Sequence, residues 1–283
     1  MTTSGTAVGL LHPGEMGSAI GATLVAGGAR VLWASEHRSS VTRSRAAELG
    51  LADAGTLAGV ARESRAIVSV TPPHGALELA RAVAAVGFRG LYVDANAVAP
   101  GTAREIARVV EGAGARFVDG GIIGPANRKP GAARIYLSGE SAREISPLFA
   151  RGPIDAVVLD APAGAASALK MSYAAWTKGS QALLAAIRAF ATAEGVDAAL
   201  LAEWKLSQPD VVARSERAVA DNVRKAWRFV GEMDEIAASL AAAGLPAGFH
   251  EAAGEIYGRL SSYKDTPTPP SVPEAIAEIL RPH

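Results

Sequence analysis

In the first part of the chain the hydrophobic positions come in short runs. TAVGLLH, ARVLWAS, RAIVSVT, GLYVDAN, RFVDGG and RIYLSG read as β-strands. Between them apolar positions recur at the helical period, in GSAIGATLVAGG, TRSRAAELG, GALELARAVAAVG and PGTAREIARVVEGAG. Short Val/Ile/Leu runs alternating with helices predict a mostly parallel sheet covered on both faces. From Ala161 onward the pattern is helical throughout. GAASALKMSYAAWTKGSQALLAAIRAFATAEG predicts a single helix of roughly thirty residues. Breaks are expected at Gly195, Pro209, Gly231, Gly244 and Pro246, and a proline-rich turn in KDTPTPPSVPEAIAEIL before a last helix. The pattern divides the chain into an α/β domain, residues 1–160, and an all-α domain, residues 161–283.

Composition narrows the function. With 283 residues, 49% of them hydrophobic, the chain can bury a real core. Lysine plus arginine equals aspartate plus glutamate, 28 each, and no basic run occurs. Nucleic-acid and anionic-membrane partners are therefore not expected. The absence of cysteine excludes disulfides, thiolate metal sites and cysteine nucleophiles. The five histidines are scattered, so no metal is expected. Neither a signal peptide nor a membrane span is expected, and the compartment predicted is the cytoplasm. Serine-hydrolase and P-loop readings fail because G-x-S-x-G and G-x-x-x-x-G-K-[ST] do not occur.

The richest stretch is TAVGLLHPGEMGSAIGATLVAGGARVLWAS, residues 6–35. A strand ends at Leu11, a helix starts near Glu15, and His12, Pro13, Gly14, Glu15, Met16 and Gly17 lie at the junction. This is close to the dinucleotide-binding fingerprint of a Rossmann-type domain, with His12 in place of the first glycine. Gly14 takes the role that lets the backbone approach a pyrophosphate, and Gly17 the role that lets helix pack on strand. Pro13 shapes the turn. The helix N-terminus then offers N–H groups and a positive dipole end. At the end of the second strand an NAD enzyme carries an acidic residue. Here Ser35 takes that position, followed by Glu36, His37, Arg38, Ser39 and Ser40, with Arg43 beyond. A small hydroxyl residue with a nearby arginine suits a 2′-phosphate, so the cofactor predicted is NADP. A shift of one residue would make Glu36 the ribose acid instead.

These residues resemble the β-hydroxyacid dehydrogenase superfamily, with its NADP-binding domain of the 6-phosphogluconate dehydrogenase type. GLLHPGEMG aligns with its G-x-x-G-x-G-x-M-G, VDANAVAP with its strand end followed by proline, FVDGGIIGPANRKPGAARIYLSG with its substrate loop, and GAASALKMSYA with its lysine helix. SALKMSYAAWTKGSQALL and YKDTPTPP are closest to a branch whose C-terminal domain is of the putative phosphogluconate dehydrogenase type. The resemblance implies a small-molecule substrate and a homodimer whose helical domains interlock. It departs at three places: the family's substrate-loop serine falls on Ile123, its second asparagine after the lysine on Ala174, and the serine after the strand aspartate on Asn96.

Lys170 sits where the family's catalytic lysine sits and is the expected proton donor or acceptor. Helical spacing puts Tyr173, Thr177 and Lys178 on its face, with Tyr173 an alternative donor. Asn96, at the end of LYVDAN, can hydrogen-bond substrate or the nicotinamide carboxamide, while Asp94 caps or braces the turn. Thr71 and Pro72, in TPP, follow another strand end and can flank the cofactor. Asn127, Arg128 and Lys129 can hold an anionic group or form a solvated loop. Trp176, Trp204 and Trp227 read as core or subunit-interface anchors. The resulting expectation is an NADP-dependent dehydrogenase or reductase acting on a carbonyl or hydroxyl. An imine reductase on the same scaffold and a non-catalytic NADP-binding sensor are the alternatives.

Overall fold

The apolar runs of the first part of the chain assemble into one eight-stranded sheet with helices between the strands. The structure, a computed structural model, describes residues 5–126, 128–220, 223–264 and 266–282. In chain order come β1 (Ala7–Leu11), α1 (Glu15–Ala26), β2 (Arg30–Trp33), α2 (Ser40–Glu48), β3 (Ala52–Asp53), α3 (Leu57–Glu63) and β4 (Ala66–Ser69). They are followed by α4 (Ala76–Ala85), β5 (Leu91–Asp94), α5 (Pro100–Gly112), β6 (Arg116–Ile123), β7 (Ala133–Ser138), α6 (Ala142–Ile145) and β8 (Ile154–Val158). The strand order is β3-β2-β1-β4-β5-β6-β7-β8. All neighbours are parallel except β7, which runs antiparallel to β6. The first six strands thus follow the doubly wound order in which ligands bind at the carboxyl ends, where β1 and β4 diverge.

Alternation of side chains fills two apolar layers. Val8, Leu10, Val93, Val118 and Ile135 point to one face with Ile20 and Leu24 of α1. Leu11, Ile67, Tyr92 and Phe117 point to the other with Val83 and Ile106. A sheet buried on both faces explains the near-continuous hydrophobic runs. β3, β8 and α3 have no counterpart among the elements predicted from the hydrophobic pattern. β3 is only two residues long, and β8 is only partly buried along most of its length.

The rest of the chain is helical: α7 (Ala165–Ala193), α8 (Asp197–Ser207), α9 (Pro209–Ala220), α10 (Ala226–Ala242), α11 (Gly248–Arg259) and α12 (Val272–Ile279). α7 is the predicted long helix, 29 residues. Gly195, at φ +70°, and Gly244, at φ +75°, terminate α7 and α10, and Pro209 starts α9. Gly231 does not break its helix. It lies inside α10, where its cost, about 1 kcal/mol relative to alanine, is borne by the packing of the helix. The chain divides into two compact units, Met1–Met171 and Ser172–His283, so the first turns of α7 belong with the sheet. They pack on it: a Cβ on Gly121 of β6 would lie 3.1 Å from Cβ of Lys170. Within the helical unit the Arg188 guanidinium is buried and bidentate to Asp197 (2.5 and 3.0 Å) and also donates to Ser215 (3.2 Å), which ties α7, α8 and α9 together. No helix among the described residues is long and apolar enough to cross a membrane.

Candidate functional site

The turn after β1 is held on both sides. The His12 N–H donates to the Val70 carbonyl (3.2 Å), and the Gly14 N–H donates to the His12 carbonyl (2.8 Å). α1 closes on this turn so tightly that a Cβ on Gly17 would lie 1.9 Å from the His12 oxygen, which only glycine permits. Gly14 is different. Its φ of −71° suits any residue, and a Cβ there would meet nothing within 4 Å. Neither backbone nor packing asks for glycine, so the open space over Gly14 is a cradle that a side chain would fill. Pro13 is buried, Met16 packs on the core, and Glu15 is exposed in the first turn of α1.

Beside the turn two polar atoms are buried without a hydrogen-bond partner, Nδ1 of His12 and Nε of Arg38. Burial, and then the Arg38 charge, push the His12 imidazole down to about 4, so it is neutral at pH 7. Burial also lowers Arg38. Unpartnered nitrogens of this kind fit a phosphate, because a buried polar group without a partner costs about 1–3 kcal/mol. An open cradle over Gly14 and two orphaned atoms beside it fit a dinucleotide phosphate.

The remaining rim residues serve the protein itself. Asp53 of β3 accepts from the Gly55 N–H (2.8 Å), and the Ser35 hydroxyl first, then that bond, hold its carboxyl below the usual range. The Ser35 carbonyl accepts from Arg43 (2.8 Å). Ser39 is the N-cap of α2 and accepts from the Thr42 N–H (3.3 Å). Glu36 donates its N–H to Gly55, and its exposed carboxylate meets His37 at 3.5 Å. Asp53, which no local sequence pattern singles out, is an acidic group brought to this rim by its pairing with Trp33.

Asn96 is 2% exposed, and its amide is used within the protein. Its oxygen accepts from the Thr71 N–H (2.6 Å), and its nitrogen donates to Ser69 (3.0 Å) and to Asp94. The expected contact with substrate or nicotinamide is thereby replaced: Asn96 braces the ends of β4 and β5 and positions Thr71. Asp94 braces the turn as expected, accepting also from the Asn96 N–H (3.3 Å). Pro72 opens a 3-10 turn directly after Thr71.

The other end of the sheet is built around Asp119, which is fully buried. Its carboxylate accepts four hydrogen bonds: Ser138 Oγ (2.9 Å), Gly164 N (2.9 Å), Ser167 N (3.0 Å) and Ser167 Oγ (2.6 Å). Ser138 in turn accepts from Ala166 N (3.0 Å). The N-terminus of α7 is therefore capped by two strands of the sheet, and its dipole meets a buried anion. Asp94, the last residue of β5, pairs with Asp119, so β6 runs on past the edge through Gly120, Gly121, Ile122 and Ile123. Lys170 stands against Gly121, beyond the carboxyl edge, half-buried. A single acidic residue inside an apolar strand was the signal for this cap, since such a carboxylate demands partners.

The predicted stripe on α7 divides. Tyr173 is exposed, and the Thr177 hydroxyl turns back to the Tyr173 carbonyl (3.0 Å). Lys178 departs from the expectation that it lines the site: it is ion-paired with Glu232 of α10 and lies 4.5 Å from the centre of the Phe229 ring. Ile123 and Ala174 are both buried. Arg128 is exposed in the β6–β7 loop, while Asn127 lies outside the described residues. Trp204 is buried, whereas Trp176 and Trp227 are exposed beside Arg214 and Lys264. Among the described residues no group of three or more His, Cys, Asp or Glu could hold a metal ion.

Comparison with known proteins gives this geometry a context. Residues 7–151 match the family described as the NAD binding domain of 6-phosphogluconate dehydrogenase. Residues 191–260 match a domain of unknown function (DUF1932). Among curated proteins no relative matches. A conserved protein of unknown function, described as structurally similar to 3-hydroxyacid dehydrogenases, is 27% identical with a TM-score of 0.68, covering 91% of this chain and 97% of that one. Mycobacterium tuberculosis 3-hydroxyisobutyrate dehydrogenase with L-serine is 18% identical with a TM-score of 0.70, over 98% of this chain and 100% of that one. An Aspergillus terreus reductive aminase in complex with NADPH and ethyl-5-oxohexanoate is 18% identical with a TM-score of 0.56, over 90% and 93%. The last two likenesses establish the fold alone.

Proposed function

The chain belongs to the family of the 6-phosphogluconate dehydrogenase-type NAD-binding domain, and from that premise we propose an NADP-dependent oxidoreductase with Lys170 as proton donor or acceptor. Its substrate is a small carbonyl or hydroxyl compound. The observation that carries the reading is the placement of Lys170. It stands against Gly121, where β6 overruns the carboxyl edge of the sheet, on the same edge as the β1–α1 turn.

The cofactor, when bound, supplies or accepts the hydride. The chain does the rest. Gly14 and the N-terminus of α1 receive the pyrophosphate, Arg38 receives the 2′-phosphate, and Asn96 holds Thr71 at the rim. A hydroxyl residue, Ser35, in the place of the ribose-binding acid, with Arg38 three residues on, supports NADP over NAD. The Lys170 ammonium delivers a proton to the substrate oxygen in reduction and recovers it in oxidation. Asp119 and Ser138 position that ammonium by fixing the start of α7. Tyr173, one turn on, is the alternative donor.

A second reading, reduction of a C=N bond, is favoured by Ile123, a buried apolar residue where the resemblance places a hydroxyl. Panels of keto acids and cyclic imines with NADPH separate the two. Replacing Lys170 by alanine should lower turnover by about 10²–10⁴-fold with the NADPH dissociation constant unchanged; unchanged turnover would sink the assignment. We also propose a homodimer in the cytoplasm. Trp176, Leu183 and Phe190, exposed at seven-residue spacing on α7, form a stripe suited to a second copy.

A further inference from the structure

The open point in the cofactor turn is its first residue. His12 occupies the place of the fingerprint's first glycine, and glycine there would suffice for a tight turn. A half-buried imidazole costs desolvation and leaves Nδ1 without a partner. The backbone of the turn is held by hydrogen bonds to Val70 and from Gly14. Arg38, on the β2–α2 turn, is the charged group that acts on it. Glu36 and His37 of the same turn, Glu15 of α1 and His74 after β4 have no part in its shift. Arg38 repeats the pattern with its own buried, unpartnered Nε. His12 follows β1 and Arg38 follows β2, two parallel neighbours in the sheet, so the two unpartnered nitrogens belong to one edge and describe one anion site.

We propose that His12 and Arg38 together receive the 2′-phosphate of the cofactor, and that His12 takes a proton from solvent as the phosphate docks. This rests on the NADP reading above and extends it from Arg38 to His12. Before binding, burial and, after it, the Arg38 charge keep the imidazole neutral. A phosphate dianion reverses the local charge, so the protonated ring becomes the favoured form. Nδ1–H and Nε–H then both donate to phosphate oxygens, and these charge-assisted bonds satisfy the atoms left over in the free protein. NADPH binding therefore consumes protons and tightens as pH falls through the neutral range. NADH, which has no 2′-phosphate, shows neither effect. The second ionisation of the phosphate itself, with a pKa of about 6, acts in the opposite sense but is nearly complete at pH 7.

The test is isothermal titration of the full chain with NADPH and with NADH at pH 7, in buffers of different ionisation enthalpy, for wild type and His12→Asn. Asparagine keeps a polar atom near the Nδ1 position but does not titrate. Wild type should take up roughly half a proton with NADPH and almost none with NADH, and its NADPH affinity should fall about threefold per pH unit. His12→Asn should bind NADPH with no net uptake. Equal uptake for the two dinucleotides in wild type, a comparison that needs no variant, would overturn the proposal. So would uptake unchanged in His12→Asn. Failure of both dinucleotides to bind would overturn the NADP reading itself.

Discussion

The two ends of the carboxyl edge are built to opposite rules. At the β6–α7 junction every polar atom of the cap is answered within the protein: Asp119 accepts four hydrogen bonds, and Ser138 both donates and accepts. At the β1–α1 turn Nδ1 of His12 and Nε of Arg38 are buried and unanswered, and Gly14 faces open space. A satisfied network fixes one geometry, and an unsatisfied one carries a cost that a ligand can relieve. The junction is the rigid mount for Lys170, and the turn is the receiving surface.

Breaking the mount should have the largest effect on stability. Asp119→Ala leaves the N–H groups of Gly164 and Ser167 and the hydroxyls of Ser138 and Ser167 without their acceptor. We expect a loss of about 3 kcal/mol in urea unfolding. The glycines of the turn sharpen the contrast. Gly17→Ala forces a Cβ to 1.9 Å from the His12 carbonyl, so it should cost about 2 kcal/mol and abolish dinucleotide binding together. Gly14→Ala has no clash and no left-handed backbone, so its thermal midpoint should stay within about 2 °C of wild type while NADPH binding weakens. A Gly14 variant that loses stability but keeps binding would dissolve the distinction.

The remaining effect is the pH dependence of the turn. The folded pKa of His12, about 4, lies below its ordinary 6.5. Between those values the unfolded chain holds a proton that the folded chain does not. Stability present at neutral pH is therefore lost as pH falls from about 6.5 towards 4, about 2 kcal/mol of it between pH 7 and pH 5, and His12→Asn should remove that loss. Urea unfolding at pH 7 and pH 5 measures it.

The sequence displayed the receiving surface more plainly than the mount. Gly14, Gly17 and Arg38 lie within one β-α-β stretch, where spacing alone assigns roles. Asp119 meets partners 19, 45 and 48 residues away, and no local period connects them. Asn96 showed the limit of strand-end reasoning. Its position at the carboxyl edge was correct, but its amide is spent on Thr71, Ser69 and Asp94, which only tertiary packing brings within reach. The parallel strands were visible because burial on both faces writes itself as unbroken apolar runs. β3 and α3 were not, being too short for a period to declare itself.

The most direct test of the central claim is titration with NADPH and, separately, NADH, followed by tryptophan fluorescence. Trp33, buried at the end of β2 two residues before Ser35, is well placed to report. NADPH should bind at least about tenfold more tightly than NADH, about 1.4 kcal/mol, through the Arg38 side of the turn. Equal affinities would contradict the phosphate-reading role of that turn, and binding of neither would contradict the oxidoreductase assignment as a whole.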